Sequence, residues 1–279
     1  MSGGFAHIQR FLRDAAGIAL DDDKRYFIED RLQPVLRDAK LTGLDALAGA
    51  LHGNTHSELA QTVIETLTIN ETSFFRDRAL FTAFADRLLP QLIAARQDTR
   101  RLRIWCAGCS TGQEPYSVAM AIDEKTRQLT GWQVEILATD LSRPVLEHAR
   151  SGSYSQFEVQ RGLPVAMLLR HFSRRHERWQ ISDYLRAKLV FKVQNLTALP
   201  SDMGTFDAIF CRNVLFYFDA RTKQRVLARL TDLLAEDGFL VLGGAERLGS
   251  LCPRLHASPD TPFVFVRNDK ARRRRASSL

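Results

Sequence analysis

Residues 102–120, LRIWCAGCSTGQEPYSVAM, constrain this chain more than any other stretch. Ile104, Trp105, Cys106 and Ala107 are apolar without alternation, the pattern of a parallel strand covered on both faces. Small residues follow, GCSTG at 108–112. Pro115 suits the first turn of a helix, which Tyr116, Val118, Ala119, Met120 and Ile122 continue. Strand, small-residue loop, helix is how an open α/β sheet builds a ligand site at its carboxyl edge. The small residues let a ligand approach the backbone. The amides at the helix start favour a carboxylate or phosphate.

The loop is not a P-loop, because no Gly-Lys-Ser/Thr follows, and with only Gly108 and Gly112 it is not a full G-x-G-x-x-G. Cys106 and Cys109 have the C-x-x-C spacing of thioredoxin-like redox motifs. The plainer reading makes Cys106 a small apolar end to the strand and Cys109 a lining residue of the loop. A lone C-x-x-C with no second pair does not make a structural zinc site.

The remaining composition is that of an ordinary globular chain, 45% hydrophobic and 25% charged over 279 residues, enough for one large or two smaller domains. No apolar run approaches the ~20 residues of a membrane span, and the N-terminal MSGGFAHIQRF has no sustained apolar core of a secretory signal. Four cysteines do not make a disulfide framework, which fits a reducing cytoplasm. The net charge of +7 is concentrated at one end: Lys270 and Arg272, Arg273, Arg274 and Arg275 leave residues 1–269 at +2. A basic tail over 270–279 reads as disordered. Its confinement there, with no aromatic-interleaved basic stretches, argues against an RNA-modifying enzyme and against nucleic acid as a partner.

Residues 5–95 read as helical. Phe5, Ile8, Phe11 and Leu12 share one helical face. Asp21, Asp22 and Asp23 offer caps and acidic first-turn residues for a second helix. In it Ile28, Leu32, Val35, Leu36 and Ala39 fall on one arc, with Pro34 placed to kink or divide it. Arg31 lies at the edge of that arc and Arg37 well off it. Ser57 caps a helix carrying Leu59, Val63, Ile64 and Leu67, and another helix spans 79–95. From Arg101 the pattern becomes strand–helix alternation, with strands at 134–140, 206–211, 239–242 and 263–266. This predicts a mostly parallel sheet with helices on both faces. Residues 151–194 break the alternation. A short helix near Met167, strands at 179–181, 184–185 and 189–193, and a solvated basic loop, RRHER at 174–178, predict a small inserted antiparallel subdomain.

An acid ending the second strand of a nucleoside-binding α/β fold accepts hydrogen bonds from ribose hydroxyls. Asp140 has that position, and capping the next helix is its alternative role. These features fit adenosine in a cofactor, and on fold alone a methyltransferase and a dehydrogenase both remain open.

NETSFFR at 70–76, residues 105–120, ATDL at 138–141 and CRNVLFYFD at 211–219 resemble the bacterial chemoreceptor methyltransferase family, CheR type. The resemblance runs from about Ala15 to Val266 in the same order. It implies a helical N-terminal substrate-recognition domain with linker over 1–78. A Rossmann-like class I S-adenosylmethionine-dependent methyltransferase domain would follow over 79–269, with the inserted antiparallel β-subdomain at about 151–194. It implies methyl transfer from S-adenosyl-L-methionine to glutamate side chains on the cytoplasmic helices of a chemoreceptor, by a monomer that does not insert in the membrane. It assigns Asn70, Thr72, Arg76, Gly108, Glu114, Asp140, Asn195, Leu196, Arg212 and Asn213 to cofactor binding. Arg76 and Tyr217 would stand near the transferred methyl, and Arg31 and Arg37 would face the substrate helices. Family members that dock on a receptor's C-terminal pentapeptide carry a glycine-containing loop in the β-subdomain. Residues 173–179 lack glycine, which implies a tether-independent enzyme. The competing class is a binding module that senses the cofactor or scaffolds signalling proteins.

Overall fold

The computed structural model describes residues 3–54, 57–259, 261 and 263–268. The basic tail at 270–279 lies outside them. The chain opens with α1 (Gly3–Ala16), α2 (Arg25–Asp38), α3 (Leu44–Leu51) and α4 (Glu58–Leu67). Their apolar stripes converge: Phe5, Ile8, Phe11, Leu12, Ile28, Leu32, Leu47 and Val63 share one core. Ser57 caps α4, its hydroxyl accepting from Ala60 N at 3.1 Å. Pro34 does not divide α2, which runs unbroken over Arg25–Asp38. Pro34 and Asp30, whose carbonyl loses the bond, are both exposed, so water replaces the missing donor. The Asp21–Asp23 run forms a short 3₁₀ turn (Asp22–Lys24), and Asp21 makes no side-chain cap.

The next helix is read as continuous over 79–95 but carries a π turn, Phe84–Leu88, between α5 (Arg78–Ala83) and α6 (Leu89–Ala95). There follow β1 (Arg101–Ala107), α7 (Gln113–Asp123), β2 (Gln133–Asp140), α8 (Arg143–Ser151), β3 (Ser153–Ser155), α9 (Gln156–Gln160), α10 (Val165–His171), β4 (Phe172–Arg175), β5 (Arg178–Ile181), α11 (Asp183–Arg186) and β6 (Leu189–Val193). The chain then continues through β7 (Phe206–Cys211), α12 (Ala220–Leu233), β8 (Leu234–Leu242), β9 (Leu255–Ala257) and β10 (Val264–Arg267).

Seven strands form one sheet in the order β6-β2-β1-β7-β8-β10-β9. The first five are mutually parallel, and β10 is antiparallel to both β8 and β9. Helices on both faces bury the central strands, and every residue of β7 is buried, hence the lack of alternation in its sequence. After β1 the chain builds outward through β2 and β6, then returns to the other side of β1 as β7. That reversal opens a crevice at the carboxyl ends of β1 and β7.

The inserted sheet is β3-β5-β4, all antiparallel. The structure differs from the expected pattern at three places in this region. Residues 189–193 belong to the main sheet, paired in parallel with β2. Tyr184 and Leu185 are helical, because Ser182 accepts from Leu185 N and starts α11. The basic 174–178 segment is a tight β4–β5 hairpin, turning through His176 at φ 55°. The last parallel strand also starts earlier than its apolar run, at Leu234, with a register shift opposite Phe206 and Ala208.

The helical unit is tied onto the sheet domain by the α1–α2 linker. Ile18 bridges Phe218, Ala19 N donates to Tyr217 O at 2.8 Å, and Asn195 Nδ2 donates to Ala15 O at 2.7 Å.

Candidate functional site

A cavity of about 240 Å³ lies at the crevice beyond β1, β2 and β7, roofed by the α1–α2 linker and the segment after α4. Asn70, Thr72, Arg76, Gly108, Glu114, Asp140, Asn195, Leu196, Arg212, Asn213 and Tyr217, the residues expected there from sequence, all line it. Arg31 and Arg37 do not.

The loop after β1 is held at both ends. Gly108 N and Cys109 N both donate to Thr139 O, at 2.8 and 2.9 Å. Gly108 sits at φ 80°, and a Cβ there would lie 2.4 Å from Val214 Cγ2, so no other residue fits. Ser110 N donates to Asp140 Oδ2 at 2.8 Å, and Ser142 N donates to Asp140 Oδ1 at 3.0 Å. Asp140 thus braces the turn that leads into α8, whose N-cap residue is Ser142, and ties β2 to the glycine loop; it does not cap the helix. Burial pushes its carboxyl up, and the amides oppose that. Each oxygen takes one amide and keeps acceptor capacity for a ligand hydroxyl.

The segment 70–76 lies across this loop. Ser110 Oγ donates to Asn70 O at 2.8 Å, and Phe75 N donates to Ser117 Oγ at 2.9 Å. Phe75 and Asp77, on either side of Arg76, are left-handed at φ 47° and 65°. For side chains this conformation costs ~1–3 kcal/mol each and persists only where neighbours enforce it. The enforcement comes from Ser117 on Phe75 and from Arg212, whose Nη2 donates to Arg76 O at 2.9 Å and to Asp77 Oδ2. Arg212 Nη1 donates to Glu114 Oε2 at 2.7 Å. Glu114 and Arg212 therefore spend charge on each other. Burial pushes the Glu114 carboxyl up against the pull of Arg212. Arg76 is left half-buried, Nη1 donating to Glu71 O at 3.1 Å.

Tyr217 stands on the loop after β7, its ring 4.3 Å from that of Phe216. Burial raises its phenol, while Arg76 and Arg31 pull it the other way, so it is neutral at physiological pH. Asn195 uses its amide within the chain, Nδ2 on Ala15 O and Oδ1 accepting from Thr197 N at 2.9 Å. Leu141 and Leu196 supply apolar wall. Arg31 donates to Thr66 O and Thr68 O at 3.1 and 2.9 Å and lies over the Phe27 ring. Arg37 is exposed. Cys106 and Cys109 are buried free thiols, pushed up by that burial, the opposite of a reactive thiolate.

Two supporting residues escaped the sequence reading. Asp77 is one. The other is Glu246, buried outside the cavity. Its Oε1 accepts from Val214 N and Leu215 N at 2.9 and 2.7 Å, and its Oε2 from Asn213 N and Gly243 N at 2.9 and 2.7 Å. One carboxylate so holds the whole turn between β7 and Tyr217. A single Glu in GGAERLGS gives no signal of this in sequence.

A carboxylate at a strand end with spare acceptors, a glycine loop, apolar flanks and a nearby cationic side chain are a donor set suited to a nucleoside carrying a charged group. Residues 3–68 match the family described as "CheR methyltransferase, all-alpha domain" and residues 70–262 that described as "CheR methyltransferase, SAM binding domain". The chain is 38% identical to the chemotaxis protein methyltransferase of Escherichia coli K12, covering 95% of this chain and 91% of that one. It is 38% identical to chemotaxis protein methyltransferase 1 of Pseudomonas aeruginosa, covering 92% and 94%, and 36% identical to Cher2 of Pseudomonas putida, covering 88% and 91%. The crevice, its donor set and these matches over nearly the whole chain lead to one conclusion: the protein belongs to the CheR methyltransferase family and is an S-adenosylmethionine-dependent methyltransferase.

Proposed function

We propose that the chain methylates glutamate carboxylates on the cytoplasmic helices of chemoreceptors, giving methyl esters, and does so without a receptor tether. The observation that carries this is the shared cavity: Arg76 and Tyr217 open onto the same space as Asp140 and the glycine loop. Its relatives carry the name of chemotaxis protein methyltransferases.

S-adenosylmethionine supplies an electrophilic methyl on a sulfonium cation. In this reading Asp140 takes the ribose hydroxyls, while Asn195 and Leu196 flank the adenine through backbone and apolar surface. Asn70, Thr72, Gly108 and Asn213 line the remainder. Glu114 and Arg212 act mainly through each other, fixing the backbone of Arg76. A glutamate acceptor has an ordinary pKa of ~4.3 and arrives ionised, so no general base is needed. The chain's task is alignment, which supplies up to ~7–11 kcal/mol in ideal cases, and exclusion of water while opposite charges cancel. Arg76 has donors beyond the one given to Glu71 O and holds the non-attacking carboxylate oxygen, since clamping both would quench the nucleophile. Tyr217 stays a neutral phenol and walls the acceptor.

The basic side of α2 would meet the receptor, with Arg37 exposed to it and Arg31 closer to the cavity. The β4–β5 hairpin turns tightly with no inserted glycine loop, which supports tether independence. The test is tritiated-methyl transfer, with base-labile product, to full-length and tail-truncated receptor. Methylation of both at similar kcat/KM is expected. Abolition by truncation overturns the tether-independent reading, and methylation of neither overturns the receptor reading.

A further inference from the structure

The inserted subdomain reaches the glycine loop through one buried side chain. Tyr154, the middle residue of β3, is fully buried. Its hydroxyl donates to Thr111 O at 2.8 Å. That carbonyl has no donor from the helix that follows. Pro115, four residues on, carries no N–H, and the first bond of α7 runs from Tyr116 N to Gly112 O at 3.1 Å. The proline that suits the helix start therefore leaves a loop carbonyl in need of a partner, and the subdomain supplies it. A buried tyrosine hydroxyl needs a partner as well, so the bond satisfies both groups.

The bond falls at the strained point of the loop. Ser110 and Gly112, on either side of Thr111, are both left-handed, at φ 49° and 94°. In a residue with a side chain such as Ser110 this conformation persists only where neighbours enforce it. Three ties do so, each from a different part of the chain. Ser110 N donates to Asp140 Oδ2 from the sheet, Ser110 Oγ donates to Asn70 O in the segment after α4, and Tyr154 holds Thr111 O. The fit around Gly112 is close: a Cβ there would lie 2.8 Å from Ala149 Cβ and 3.0 Å from the Tyr154 hydroxyl. The ring of Tyr154 also packs edge-on against Phe74, with centroids 5.0 Å apart, and Phe74 lies two residues before Arg76. One side chain so braces both the glycine loop and the segment that carries Arg76.

We propose that Tyr154 is a positioning residue for S-adenosylmethionine. Its hydroxyl fixes the 111–112 peptide, and through it the Ser110 amide on Asp140, while its ring seats Phe74. Tyr154 itself does not line the cavity and acts through the loop. The inserted subdomain is then part of the cofactor site's framework. Without the hydroxyl, Thr111 O is left without its donor and the loop relaxes away from the conformation that presents Asp140.

The experiment compares Tyr154→Phe with Tyr116→Phe in the full chain. Both tyrosines are fully buried in one core, and both changes remove one hydroxyl, but that of Tyr116 donates to Ala149 O at 2.9 Å and not to the loop. Calorimetry with S-adenosylmethionine gives affinity and the binding-competent fraction, thermal melting gives stability, and hydrogen exchange of the 108–112 amides reads the loop directly. Tyr154→Phe should raise Kd about tenfold with unchanged stoichiometry, the size expected when a buried acceptor loses its donor, and should speed exchange at 108–112. Tyr116→Phe should lower the melting temperature and leave Kd within about twofold of wild type. Placing p-aminophenylalanine at position 154 returns an N–H donor and should restore most of the affinity. A Tyr154→Phe chain that melts earlier but binds S-adenosylmethionine as tightly as wild type overturns the proposal and makes the hydroxyl a stabilising group only. Equal loss of affinity in Tyr154→Phe and Tyr116→Phe overturns it too, because any loosening of that core would then suffice, as does a p-aminophenylalanine chain that binds no better than Tyr154→Phe.

Discussion

Replacing Glu246 by glutamine tests whether one carboxylate organises the turn that leads to Tyr217. The change keeps shape and volume but leaves one acceptor oxygen where there were two. Each oxygen now takes two amides, those of Val214 and Leu215 on one side and of Asn213 and Gly243 on the other. The retained oxygen can serve one pair. The other pair would face an NH2 group, and a buried donor without a partner costs ~1–3 kcal/mol. The loss is therefore about 2–6 kcal/mol if the turn holds its shape, a large part of a typical domain stability of ~5–15 kcal/mol. If the turn instead rearranges, part of that cost is relieved, and Tyr217 and Asn213 move. Urea denaturation and methyl-transfer kinetics separate the two responses. Glu177→Gln, in the exposed hairpin turn, is the control and should stay within ~0.5 kcal/mol. A loss below ~1 kcal/mol for Glu246→Gln, with unchanged kcat, would show that the four amides have other partners and would refute the reasoning.

Asp140→Ala should weaken cofactor binding by ~1.5–3 kcal/mol, as for a hydrogen bond to a charged group, and lower the melting temperature because Ser110 N and Ser142 N lose their acceptor; calorimetry with unchanged affinity would remove Asp140 from the ribose. Cys106→Ala/Cys109→Ala should keep most activity, since carboxylate methylation has no step for a thiol; a folded, cofactor-binding but inactive variant would revive redox chemistry. Arg37→Ala should lower kcat/KM for receptor and flatten its salt dependence, the Debye length being about 8 Å at physiological ionic strength, while leaving cofactor affinity alone. The Arg103 guanidinium holds the Glu135 carboxyl below its ordinary value. Its stability contribution is therefore present above pH ~4.5 and lost as pH falls through the folded value. Glu135→Gln should flatten that acid limb in denaturation measured across pH, and an unchanged limb would assign it to other carboxylates.

The sheet domain was readable because parallel strands buried on both faces write continuous apolar runs, as at 104–107 and 206–211. The N-terminal helices were readable from their stripes. Pattern failed where two structures demand the same residues. A five-residue run such as LVFKV at 189–193 suits a parallel edge strand and an antiparallel insert alike, and only its partner, β2, decides. Tyr184 and Leu185 read as strand by type, but the Ser182 cap made them helix. The cavity residues were reached through motifs shared with a family, and spacing alone would have yielded little beyond Asp140 and the glycine loop. What no motif reported was the internal bonding: that Arg212 and Glu114 neutralise each other, that Arg31 is spent on two carbonyls, and that Phe75 and Asp77 take left-handed backbone. Those depend on residues tens of positions apart and become visible only when the chain closes.

The linker between α1 and α2 carries a consequence for how such enzymes diversify. Gly17, at φ 73°, has no room for a Cβ, which would meet Thr197 Cγ2 at 2.6 Å, and Ile18 and Ala19 pair directly with the strip carrying Tyr217. The helical unit, which in the proposed reading meets the substrate, thus also forms one wall of the cavity. In that reading recognition and catalysis are not separable cassettes. A grafted N-terminal unit would bring its own wall, matched to its own strip, so exchange between lineages would succeed only where residues 15–21 travel together with those at 195–222. Specificity here is free to drift along the outer faces of α2, while the inner seam is bound to the chemistry it encloses.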